Sequence, residues 1–153
     1  MDGTPYSEII DLALVSIEDY HLNRVAVENP EAFLTILEGY MIRGLGNFTW
    51  CKHNLDDRDD SNKRFNVALT SLEKKIIADY TVISWLDKEI NDTRQITAMM
   101  QNKNEAHRYS EANNLRAKEE WRVKLYEDVG IKKTEYSLIN TPWKDWANGD
   151  YDL

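Results

Sequence analysis

Two side chains of the kind that bind zinc lie close together in the stretch Cys51-Lys52-His53. A thiolate and an imidazole are ordinary zinc ligands, but a structural site needs two more. His21 and His107, the other histidines of the chain, lie in different regions without paired spacing. The sequence therefore predicts no metal site, and it predicts a buried cysteine that packs as a small apolar residue beside a surface histidine.

The acidic run DDRDD, residues 56–60, offers carboxylates of the type that bind calcium. A calcium loop also needs a glycine at its sharp turn and a closing glutamate, and neither register that begins at Asp56 or Asp57 supplies them. We predict a solvated acidic loop that caps the next helix, with an acidic face for a basic partner as the alternative.

The motifs of catalysis and cofactor binding are incomplete. Gly44-Leu45-Gly46 lacks the third glycine and the preceding strand of a phosphate-binding loop. Neighbouring carboxylates such as Glu119 and Glu120 are adjacent in sequence, so nothing indicates that they face each other across a cleft. No serine or cysteine stands in a nucleophile's motif. We therefore predict no catalytic residue, no cofactor and no enzymatic activity.

The composition is that of an acidic globular protein. The chain has 153 residues, enough for one domain with its own core, and its five tryptophans and eight tyrosines argue against disorder. A net charge of −8 disfavours general binding of nucleic acid. One cysteine excludes an internal disulfide, and no apolar run approaches the ~20 residues of a membrane span. We expect a soluble protein made in a cytosol, without a signal peptide.

Caps, prolines and apolar spacing predict the helices that position these residues. Thr4-Pro5 opens a first helix that continues to about Tyr20, and Asn29-Pro30 opens a second that ends at Gly44. The third helix has the clearest stripe, with steps of three and four: Phe65, Leu69, Leu72, Ile76, Tyr80, Ile83 and Leu86. We predict that five members of this stripe face Ile10, Leu14, Phe33 and Leu37 in one bundle; they are Phe65, Leu69, Leu72, Ile76 and Ile83.

The rest of the chain predicts two more helices and a tail. Asn91-Asp92 is predicted to end the third helix, and a short helix with Ile96, Met99 and Met100 follows. A last, highly charged helix over residues 110–128 is predicted to stop at Gly130. The fold class is therefore all-α: a bundle of about four to five helices over residues 1–130, followed by an extended C-terminal arm over residues 131–153.

Five residues are predicted to form interfaces. Trp143, Trp146 and Tyr151 lie in the tail, which reaches up to about 45 Å when extended, so they can dock on another chain. The alternative is that they cover the last helix of their own chain. Arg122 and Lys124 belong to the mixed-charge surface of that helix, which can set the register against a second copy.

The order of these landmarks resembles a family of small proteins encoded by tailed bacteriophages of Gram-positive hosts, the head–tail connector or neck adaptor proteins. The resemblance covers most of the chain and stops before Thr141. It rests on YSEIIDLALVSIEDYHLNR (residues 6–24), FLTILEGYMIRGL…F…C (33–51), LEKKIIADYTVISWLDKEI (72–90) and YSEANNLRAKEEWRVKL (109–125). These stretches are helix faces and include no catalytic motif.

The resemblance implies a structural virion protein of the phage neck. Its partners would be copies of itself in a dodecameric ring, the portal protein and the next neck or tail protein. The ring would line the channel of passing DNA without sequence-specific binding and without a membrane. Its location would be the virion neck, and the host cytoplasm during assembly. A second hypothesis, a small cytosolic regulator or adaptor that binds one protein partner, explains the helices, charge and tail equally well.

Overall fold

The computed structural model describes residues 3–17, 19–99 and 105–149. Within these ranges the chain is mainly helical, and the predicted all-α bundle is confirmed. One short antiparallel hairpin interrupts the helices. The elements are α1 (Tyr6–Leu14), α2 (Tyr20–Glu28), α3 (Pro30–Leu45), β1 (Arg58–Asp59), β2 (Arg64–Phe65), α4 (Ser71–Met99), α5 (Glu105–Asn140) and α6 (Trp143–Ala147).

Helix α4 is the centre of the bundle, because α1, α3 and α5 all pack against it. The predicted core is confirmed, and most of its members are almost completely buried. The buried members are Ile10, Leu37, Phe65, Leu69, Ile76 and Ile83, while Leu14, Phe33 and Leu72 are partly buried against them. Removing this much apolar surface from water is the main term that stabilises such a bundle.

A glycine allows α3 and α4 to approach closely. A Cβ atom added at Gly44 would lie 2.8 Å from the backbone carbonyl of Tyr80. Gly44 was predicted to end its helix, and it does lie in the last turn of α3, but its specific role is to make room for the α4 backbone.

The N-terminal residues pair with the segment before α4, which corrects two predicted helix starts. Thr4 does not cap α1, since its hydroxyl accepts a hydrogen bond from the Leu69 backbone N–H at 2.8 Å and its carbonyl accepts one from Phe65 at 2.8 Å. Phe65 lies in β2 rather than in a helix, and α4 begins only at Ser71. The apolar spacing of α4 extends back to Phe65 because the β2 strand and the helix face the same core.

Two more predicted boundaries are wrong. The first helix ends at Leu14, and a separate helix, α2, begins after Asp19, whose carboxylate accepts a hydrogen bond from the Leu22 N–H at 3.2 Å. Asn91-Asp92 does not end α4, since Asp92 pairs with Lys88 one turn earlier at 2.6 Å and the helix continues to Met99. The predicted short helix is therefore part of α4, and Met100 lies outside the described residues.

The predicted stop of the last helix at Gly130 is also wrong. Helix α5 continues through Gly130 to Asn140, so residues 131–140 are helical rather than the start of an extended arm. A glycine inside a helix costs only about 1 kcal/mol. Burial of Leu125 and Val129 before it and of Tyr136 after it offsets that cost. The C-terminal segment then forms the short helix α6, and residues 150–153 lie outside the described ranges.

The acidic run forms the hairpin rather than a helix cap. Arg58 contacts the carboxylates of Asp56 at 3.1 Å and Asp60 at 3.3 Å, and Asp60 also accepts a hydrogen bond from the Tyr6 hydroxyl at 2.6 Å. The repulsion between like charges is thus offset within the loop. The cap of α4 is instead Thr70, whose hydroxyl accepts from the Glu73 N–H at 3.2 Å.

The burial of α4 leads to a stability prediction. Ile76→Ala should lower the free energy of unfolding by about 2–5 kcal/mol, because the side chain is fully buried and its removal leaves a cavity. Ile131→Ala is the matched control, since that isoleucine is 68% exposed on α5. Chemical denaturation of both variants checks this. Equal losses for the two would show that the assigned core is wrong.

Candidate functional site

Three separate segments meet at a buried carboxylate. Cys51 and His53 lie in the loop after α3, Glu73 lies in the first turn of α4, and Tyr136 lies in the C-terminal part of α5. We call these four residues the polar hub. The hub joins the loop, the central helix and the longest helix at one end of the bundle.

The α4 cap places Glu73. Its carboxylate oxygen Oε2 accepts from the Thr70 backbone N–H at 2.8 Å, and the Thr70 hydroxyl accepts from the Glu73 N–H at 3.2 Å. This reciprocal arrangement is a capping box. It holds the carboxylate against the start of α4, where the positive end of the helix dipole favours a negative charge.

Three further side chains approach the same carboxylate. The Tyr136 hydroxyl donates to Oε1 at 2.8 Å and accepts from the Lys52 backbone N–H at 2.8 Å. His53 Nδ1 lies 2.9 Å from Oε1 and 3.1 Å from Oε2, and the Cys51 thiol lies 3.7 Å from Oε1. Glu73 is only 1% exposed, so these donors replace the water that its charge would otherwise bind.

The environment sets the protonation of the hub. Burial raises the pKa of Glu73, but hydrogen bonds from Thr70, Tyr136 and His53 outweigh burial, and the pKa of Glu73 lies below its ordinary value. Burial raises the pKa of Cys51. Burial also raises the pKa of Tyr136, and its hydrogen bond to Glu73 adds to that effect. At neutral pH the hub therefore contains an ionised carboxylate beside a neutral thiol and a neutral phenol.

Aromatic rings hold the tyrosine of the hub in place. The rings of Phe48 and Trp50 lie 4.4 Å apart, and both make edge-to-face contacts with Tyr136, at 5.9 Å and 5.5 Å between centroids. Lys133 places its ammonium 5.4 Å from the centroid of Trp50. The apolar stretch after α3 thus packs against the C-terminal part of α5, and its contacts fix the direction of the Tyr136 hydroxyl.

A cavity of about 300 Å³ borders the polar hub. His53, Glu73 and Tyr136 line it together with Ile139 and Asn140 at the end of α5. Small polar molecules such as water can therefore approach the hub through this cavity.

The two tail tryptophans lie at the surface. Trp143 is 53% exposed and Trp146 is 42% exposed, and their rings meet edge to face at 5.5 Å. The Trp143 indole N–H donates to the Leu138 carbonyl at 2.9 Å, so its polar group is satisfied within the chain. Leu138 and Ile139 beside them are also exposed. We call these four residues the C-terminal patch; it is an apolar surface that its own chain leaves largely uncovered.

The other predicted interface residues lie in different surroundings. Arg122 is not free on the surface, since its guanidinium contacts Asp87 of α4 at 2.9 Å and ties the two longest helices together. Lys124 is exposed on α5, and Tyr151 lies outside the described residues. The structure therefore brings Trp143 and Trp146 together, and it places Arg122 in an intramolecular ion pair.

The sequence patterns did not indicate Glu73 as a partner of Cys51 and His53. The stretch Thr70-Ser-Leu-Glu73 has the capping-box pattern, which signals the start of a helix. That pattern places Glu73 at the start of α4, but it does not show that the loop after α3 lies against it. About twenty residues and a hairpin separate His53 from Glu73 in the chain.

Comparison with protein-family models, curated proteins and solved structures found no match for this chain. The neck-protein resemblance therefore stays a hypothesis. Among the described residues, no helix combines the length and apolarity needed to cross a membrane.

The hub leads to a second stability prediction. Tyr136→Phe should lower the free energy of unfolding by about 1–3 kcal/mol, because the Lys52 N–H and one Glu73 oxygen lose a buried partner. Tyr126→Phe is the matched control, since Tyr126 is 48% exposed on the same helix. Denaturation in the presence of a chelator measures both. A Tyr136→Phe protein as stable as the control would contradict the role given to this hydroxyl.

Proposed function

We propose that this protein is a structural component of a tailed-phage virion that forms a ring in the neck. The ring joins the capsid portal to the next neck or tail protein and lines the DNA channel. The C-terminal patch is the observation that carries this proposal, because it supplies a surface for a neighbouring subunit or the portal. The resemblance of four helical stretches to neck adaptor proteins supports the same assignment.

The C-terminal patch has the properties of an interface anchor. Aromatic side chains that bury in a partner's pocket usually carry much of the energy of an interface. Trp143 and Trp146 already contact each other, so less conformational freedom is lost when a partner covers them. The hydrogen bond from the Trp143 indole to the Leu138 carbonyl holds the first ring at the end of α5, and the Trp146 ring contacts the first. The patch thus presents a pre-formed apolar surface.

The distribution of charge suits a channel for DNA. The chain carries a net charge of −8, and a surface that lets DNA pass must not hold its phosphates. Several basic residues of α5 are paired with acidic residues of α4, which leaves them less available to phosphates. These pairs are Lys118–Glu89, Arg122–Asp87 and Lys132–Asp79.

The first test concerns the C-terminal patch. Trp143→Ala combined with Trp146→Ala should leave the bundle folded and should weaken ring formation or portal attachment at least about tenfold, since each buried Trp is worth more than 1.4 kcal/mol. Tyr109→Ala is the control, because that tyrosine is an exposed aromatic at the opposite end of α5. Mass measurement of the protein with and without the portal protein reads out assembly.

Each outcome of that measurement decides between hypotheses. A closed high-order oligomer that the tryptophan variant loses supports the neck ring. A stable monomer or dimer that does not bind the portal supports the small regulator instead. If the double variant unfolds, as judged by helix content and melting, the patch belongs to the bundle's own core and the interface assignment is wrong.

A second test concerns the charged surface of α5. Lys124→Glu should slow ring assembly and change its salt dependence without unfolding the chain, because rim charges act mainly on association. Lys124 is tested rather than Arg122, because Arg122→Glu would break the internal ion pair with Asp87 and place two negative charges side by side. Lys75→Glu, on the exposed side of α4, is the matched control. If the Lys124→Glu protein assembles as fast as the Lys75→Glu protein, Lys124 is not part of the interface.

A further inference from the structure

The polar hub has the ligand set of a transition-metal site. The Cys51 sulfur, a ring nitrogen of His53 and a carboxylate oxygen of Glu73 lie within 4.8 Å of one another. Thiolate, imidazole and carboxylate are the three ligand types that zinc accepts in proteins. We propose that these three side chains bind one zinc-like divalent ion. The proposal does not depend on the assignment to a phage neck.

Two of the three ligand pairs lie near the separations expected around an ion, and the third, Cys51 sulfur to His53 nitrogen, lies within 4.8 Å and would need to shorten to about 3.5 Å. Around a tetrahedral zinc ion, bonds of about 2.0 Å to nitrogen and oxygen and about 2.3 Å to sulfur place nitrogen and oxygen about 3.3 Å apart and sulfur and oxygen about 3.5 Å apart. Here His53 Nδ1 lies 2.9 Å from Glu73 Oε1, and Cys51 Sγ lies 3.7 Å from the same oxygen. Shifts of less than about half an ångström bring these pairs to the expected separations.

The groups around the ligands hold them in position. Tyr136 and the Thr70 N–H each donate to one oxygen of Glu73, and the Lys52 N–H in turn holds the Tyr136 hydroxyl. Hydrogen bonds of this kind orient metal ligands and are a regular part of such sites. The adjoining cavity gives room for water as the fourth ligand.

The charges balance when an ion is bound. Zinc displaces the thiol proton of Cys51, which leaves to solvent. His53 changes tautomer on binding: the Nδ1 proton that faces Glu73 in the metal-free hub is lost to solvent, Nε2 takes up a proton, and the freed Nδ1 lone pair binds the ion. One thiolate and one carboxylate then neutralise the two positive charges of the ion. A neutral cluster avoids the cost of an uncompensated buried charge. Sulfur and imidazole ligands with a single carboxylate favour zinc over magnesium or calcium.

Binding would link the loop after α3 to the start of α4. An ion that binds the folded chain and not the unfolded chain stabilises the fold by mass action. The zinc site therefore acts on the same end of the bundle that the hub already joins through hydrogen bonds.

The test uses the full chain, freed of metal by a chelator and then titrated. Calorimetry with zinc should give one ion per chain and a higher melting temperature. Titration with cobalt should give the charge-transfer absorption of a thiolate ligand. Cys51→Ser and His53→Gln should abolish saturable binding, and Tyr136→Phe should weaken it about 10–100-fold. Glu120→Gln, an exposed carboxylate on α5, is the control and should bind as the unchanged chain does.

Several results would contradict the proposed zinc site. They are the absence of saturable zinc binding, cobalt binding without the thiolate absorption, and binding that His53→Gln leaves unchanged. His53 is the decisive position, because it is partly exposed and its replacement should leave the chain folded, whereas Glu73→Gln alters a buried group. The measurements use the isolated chain without portal protein, so failure to form a ring does not affect them.

Discussion

A buried negative charge is the constraint on which the end of the bundle with the polar hub depends. The Glu73 carboxylate is removed from water, and such a group is tolerated only when donors surround it. Those donors come from the cap of α4, the loop after α3 and the last third of α5. One side chain therefore requires three distant segments to meet, and this makes the position of the loop and the length of α5 interdependent.

The extension of α5 beyond Gly130 follows from the same constraint. Without the last turns of this helix, Tyr136 would not reach Glu73, and the aromatic surface of Phe48 and Trp50 would face water. The ion pairs from Lys118, Arg122 and Lys132 to α4 run along the same contact. Individually such partly exposed pairs contribute little, but together they help to fix the register of the two long helices.

The apolar surface of the C-terminal end contrasts with this well-satisfied interior. The hub satisfies its polar groups within the chain, whereas Trp143 and Trp146 satisfy only an indole N–H there and leave their rings exposed. That contrast is consistent with two separate functions. The polar hub stabilises the fold, with or without an ion, and the C-terminal patch contacts other chains. The cavity beside Ile139 adjoins both, so the two surfaces are neighbours in the fold.

The sequence by itself determined the helical class, most of the core and the start of α3 at Asn29-Pro30, because apolar spacing and caps act over a few residues. It misplaced the ends of α1, α4 and α5, since tertiary packing outweighs single breakers such as Gly130. Only the tertiary structure decided that Cys51, His53 and Glu73 meet and that Arg122 is paired with Asp87. Those contacts join segments far apart in the chain, and local spacing carries no information about such pairs.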